Sequence, residues 1–74
     1  MENDLITVDE KIHMTTQFIR NLMYSRYNVE LSLLAENAVE NPNQNTVDSF
    51  TGQLAEIDHK IAALNDQLTL LEGQ

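Results

Sequence analysis

Through the second half of the chain, Val47, Phe50, Leu54, Ile57, Ile61, Leu64, Leu68 and Leu71 follow one another at alternating steps of three and four. Those steps put eight apolar side chains on one stripe of an α-helix, and an unbroken stripe marks a helix that packs lengthwise on another. The first half repeats the pattern with Val8, Ile12, Thr15, Ile19, Leu22, Arg26, Val29 and Leu33. Arg26 brings a charge to the flank of that seam, where it must snorkel outward or meet a carboxylate such as Glu30 one turn on.

Between the two patterns, Glu40-Asn41-Pro42-Asn43-Gln44-Asn45 is a break, because Pro42 biases Asn41 away from helical geometry and asparagines suit turns and caps. Thr7 followed by Glu10 fits a capping box at the start of the first helix. Asn45 or Thr46 can cap the second helix, and Gly73 suits a C′ position. The spacing predicts a flexible arm at 1–6, with Leu5 and Ile6 resting on the body, then one helical hairpin at 7–74: helix 1 over about 8–40, a loop over about 41–45 and helix 2 over about 46–72.

Helices of about 25 to 32 residues joined by so short a loop must run antiparallel. Placing Val39 opposite Val47 brings residues whose numbers add to about 86 level, so Val29 meets Ile57, Leu22 meets Leu64 and Ile19 meets Leu68. The fold class is all-α, an antiparallel two-helix hairpin of coiled-coil type. Ile19, Leu22, Val29 and Leu33 face Phe50, Leu54, Ile57, Ile61, Leu64 and Leu68 across the seam.

A second apolar stripe, Met23, Tyr27, Leu31, Leu34 and Ala38, runs beside the first on helix 1. Helix 1 is thus apolar over more of its circumference than one partner helix covers. With 74 residues and no cysteine, the chain has neither a large core nor a disulfide or thiolate metal site to supplement it. Oligomerisation supplies what is missing, and dimerisation into a four-helix bundle is the expected form. Gly52, Ala55 and Ala62 beside the helix 2 seam either admit another helix closely or serve as ordinary helical positions.

The net charge of −8, from 12 acids and 4 bases, disfavours nucleic acid and anionic membranes. The acids avoid the window from Lys11 to Val29, which holds Lys11, Arg20 and Arg26. Arg20, Arg26, Tyr24 and Tyr27 there make a basic and aromatic surface that a small RNA-binding regulator could use, and the acidic remainder suits a nucleic-acid mimic. Met1-Glu2-Asn3-Asp4 lacks the features of a secretion signal, and no apolar run approaches the roughly 20 residues of a bilayer span, so the expected setting is soluble and cytoplasmic.

Both histidines follow a glutamate by three residues, in Glu10-Lys11-Ile12-His13 and Glu56-Ile57-Asp58-His59. Glu-x-x-His puts a carboxylate and an imidazole on one helical face, and Glu30 falls level with Glu56 in the register above. Glu30, Glu56 and His59 resemble the half-bundle members of the ferritin-like superfamily, the encapsulated ferritins. That resemblance implies a di-metal iron site assembled when two hairpins dimerise. Read from the heptad alone, Glu56 and His59 point away from the seam and form a solvated i, i+3 pair.

Ser25, Ser32 and Ser49 lie in helical segments with no histidine placed to activate them, so nucleophilic catalysis has no support. The reading is a small non-enzymatic interaction or assembly module with no cofactor. It self-associates as a homodimer or higher homo-oligomer, its coiled-coil seams forming the scaffold and Met23, Tyr27, Leu31 and Leu34 the contact surface. The same stripe could instead take another protein. The metal-binding protein and the RNA-binding or RNA-mimicking regulator are the alternatives.

Overall fold

The computed structural model describes residues 5–74, which form two α-helices and no strand. Helix α1 spans Val8–Asn37 and α2 spans Gln44–Glu72, and they pack against each other as a hairpin of 60 × 18 × 14 Å. Of the expected arm at 1–6, residues 1–4 lie outside the described residues. Leu5 is 92% exposed and does not rest on the body as expected, whereas Ile6 is 40% exposed.

Each helix boundary has a local cause. The Thr7 hydroxyl accepts from the Glu10 amide at 3.1 Å and the Glu10 carboxylate accepts from the Thr7 amide at 2.9 Å, closing the capping box. Those hydrogen bonds hold the Glu10 carboxyl below its usual range, the Thr7 backbone amide contributing most. At the other end α1 stops at Asn37, earlier than the expected 40. Its last turn carries no base to offset the helix dipole, and the Ala38 amide turns back onto the Leu34 and Ala35 carbonyls.

Helix α2 starts two residues sooner than expected, and its cap is Asn43 rather than Asn45 or Thr46. The Asn43 side-chain oxygen accepts from the amides of Asn45 and Thr46 at 3.0 and 3.2 Å. Asn43 is itself fixed by its own amide, which donates to the Glu36 carboxylate at 2.9 Å. Glu36, an unfavourable charge at the end of α1, is thereby used to tie the connection to α2. Gly73 is the C-cap at φ −81°, and none of the described residues has a positive φ, so α2 ends without the left-handed turn that a C′ glycine would supply.

The burial pattern shows how the helices meet. In α2 every residue from Asp48 to Glu72 is exposed except Phe50, Leu54, Ile57, Ile61, Leu64 and Leu68, which are half-buried, and Leu71, which is buried. In α1, Ile19 is buried and Val8, Ile12, Thr15, Leu22, Arg26, Val29 and Leu33 are half-buried. Ile19 and Leu71, 6% and 4% exposed, are the only buried apolar side chains among the described residues. A single partner helix covers only one side of each seam residue. Thr15 adapts to its place in the seam by donating its hydroxyl to the Lys11 carbonyl at 2.7 Å.

Candidate interaction surface

On α1, the steps that carry Ile19, Leu22 and Val29 into the seam leave Met23, Tyr27, Leu31 and Leu34 on the outer surface. All four are exposed, from 45% at Leu31 to 71% at Leu34. Tyr24 lies beside them, also exposed, and the Arg20 guanidinium sits 5.7 Å from its ring centroid while donating to its hydroxyl at 3.3 Å. Arg20, Met23, Tyr24 and Tyr27 together line an open depression of about 280 Å³. Their spacing is that of the four residues bounding a hole on a helix surface.

Along one border of this surface runs an ion cluster. The Arg26 guanidinium donates to both oxygens of Asp58 on α2, at 2.6 and 3.3 Å, and also to Glu30. Hydrogen bonding to Asp58 is the main cause raising the Arg26 pKa, and the same bond lowers that of Asp58. Arg26 thus reaches the expected Glu30, and a second carboxylate that periodicity did not identify. Asp58 sits two positions along α2 from the residue expected level with Arg26.

The candidate metal set is not gathered within the hairpin. Glu30 is engaged by Arg26, Glu56 and His59 are exposed on α2, and no group of three or more His, Cys, Asp or Glu among the described residues is placed to hold a metal ion. The basic and aromatic set divides likewise. Arg20, Tyr24 and Tyr27 share the depression, whereas Arg26 turns to Asp58 and Glu30.

Periodicity did not single out Phe18 and Leu70, which with Met14 are exposed in the part of the hairpin away from the loop. The i, i+4 spacing of Met14 and Phe18 was a usable signal for that pair. No helix among the described residues is long and apolar enough to cross a membrane. Comparison with protein-family models, with curated proteins and with solved structures returns no match for the chain, so any reading of its function rests on its own surfaces.

Proposed function

We propose that this chain is a non-enzymatic assembly module that self-associates through the outer face of α1, two hairpins forming a four-helix bundle. The observation that carries it is the run Met23, Tyr27, Leu31 and Leu34, four large apolar side chains left outside on a helix whose seam already has its partner. The surface total points the same way. The chain exposes 5790 Å², roughly 1,200 Å² more than a folded monomer of 8.4 kDa ordinarily shows. Charge also favours the Met23 to Tyr27 part of this face, because the acids that give the net −8 are absent from Lys11 to Val29.

Molar mass by light scattering, with metal content read on the same fractions, tests the proposal. The wild-type chain should run as a metal-free dimer or higher oligomer. Tyr27→Glu and Leu34→Glu should each lower the mass while the far-ultraviolet circular dichroism stays helical. An unchanged mass in both variants removes this surface from consideration, and a stoichiometric metal would transfer the proposal to Glu30, Glu56 and His59.

A further inference from the structure

Building on the self-association proposed above, we infer that two copies pair α1 against α1 in antiparallel order, the Leu34 side chain of each entering the depression between Arg20, Met23, Tyr24 and Tyr27 on the other. The depression and Leu34 lie on the same outer face, about ten residues or some 15 Å apart along the helix. A two-fold axis passing near Val29 exchanges them. It sends each Leu34 to the other copy's Met23 and Tyr24, and each Tyr27 to the other copy's Leu31. Both knobs and both holes are filled by one symmetry operation, which is what an isologous interface requires.

Charge selects the antiparallel order over a parallel one. The last turn of α1 contains no basic residue, and Glu36 adds to the negative end of the dipole there. The same two-fold axis that seats Leu34 carries the Arg20 of each copy to the other copy's α1 terminus near Asn37 and Ala38. Parallel pairing would set Arg20 beside Arg20 and one acidic helix end beside another. It would also leave Leu34 displaced from the depression by the full distance between them.

The area is sufficient. The exposed parts of Met23, Tyr24, Tyr27, Leu31 and Leu34 amount to roughly 500 Å² per copy, or about 1,000 Å² for the pair, the lower bound of a specific interface. A second copy is also the occupant that supplies knob and hole together, whereas an unrelated helix would have to bring its own leucine.

Cysteine-free sequence makes the test direct. Arg20→Cys and Ala38→Cys proteins, mixed under mild oxidation, should form the mixed disulfide, while neither alone should cross-link, because like positions stand about 25 Å apart in antiparallel order. A double-mutant cycle gives the second readout. Tyr24→Ala and Leu34→Ala should each weaken association about tenfold or more, and the double variant should lose less than the product of the two. The two positions are too far apart on one helix to couple within a chain. Cross-linking of Arg20→Cys with itself, or independent effects of Tyr24→Ala and Leu34→Ala in a dimeric protein, overturns this pairing and leaves self-association standing. A wild-type monomer at every concentration overturns both.

Discussion

Ile19→Ala and Leu34→Ala remove similar volumes of side chain from one helix, yet they should disturb different equilibria. Ile19 is 6% exposed, so its truncation removes nearly all of a buried side chain from the α1–α2 seam. Core truncations of this kind cost about 2–5 kcal/mol, and the lower half of that range applies where a single partner helix can relax into the gap and alanine improves helix propensity. A loss of about 2–3 kcal/mol moves the thermal midpoint of a domain this size by roughly 10–20 °C.

Leu34 is 71% exposed, so within one hairpin its loss should change stability by less than about 0.5 kcal/mol. In the proposed dimer that exposed fraction would be covered. Full burial of a leucine is worth about 1.5–3 kcal/mol, which for two copies gives about 2–4 kcal/mol per dimer and a dissociation constant weaker by roughly thirty- to a thousandfold. Thermal unfolding followed by circular dichroism over about a hundredfold range of concentration separates the two. Ile19→Ala should lower the midpoint at every concentration, and Leu34→Ala only where the wild-type protein is dimeric. Equal effects of the two variants at the lowest concentration would refute the assignment of seam and outer face.

Other variants probe single features. Gly52 lies in α2 with nothing within 4 Å of where a Cβ would stand, so Gly52→Ala should stabilise the helix by about 0.8–1 kcal/mol and raise the midpoint by several degrees; a fall in association would mean that another helix packs there. Asn43→Ala removes the acceptor for the Asn45 and Thr46 amides and should cost about 1 kcal/mol, read by urea unfolding; no loss would show that the Glu36 link alone holds the start of α2. Because Arg26 lowers the Asp58 pKa, this carboxylate's contribution is present at neutral pH and is lost as pH falls through its native pKa, below about pH 4. The stability advantage of wild type over Asp58→Asn should therefore shrink on acidification, and an advantage that grew instead would contradict the ion pair.

The seams were legible because burial against one helix imposes a repeat, and Val47 to Leu71 keep it without interruption. The helix ends were less so. Several asparagines around Pro42 can cap a helix, and Asn43 is chosen by a bond to Glu36 seven residues earlier, a tie that no periodicity records. Starting the register from Val39 was unsafe for the same reason, since Val39 lies beyond α1 and is exposed. Asp58 went unnoticed because an ion pair between helices depends on register to within one turn. Phe18 and Leu70 are distant in sequence and come to the same end of the hairpin only once it is folded. The stripe of Met23, Tyr27, Leu31 and Leu34 could be read as apolar from the sequence, but what covers it is a property of an assembly.

The ion cluster and that stripe share a border, which gives Arg26 a second consequence. Met23 precedes it by one turn and Leu34 follows Glu30 by one turn, so covering the stripe takes water from Arg26, Glu30 and Asp58, now half-exposed. Charges moved out of water lose solvation that their mutual attraction need not restore. In the proposed dimer the cluster would then cost stability, while the Arg26–Asp58 bond would fix which residues of α2 stand beside α1. Arg26→Leu alone should weaken association, because it leaves Glu30 and Asp58 without their cation at the edge of the interface. Arg26→Leu combined with Asp58→Leu and Glu30→Gln, which leaves no carboxylate of the cluster unpaired, should recover or exceed the wild-type thermal midpoint but loosen the alignment, so that cysteine pairs two positions out of register cross-link where they do not in wild type. A triple variant that is both more stable and uniquely aligned would show that apolar packing alone sets the register, with the Arg26–Asp58 bond incidental to it.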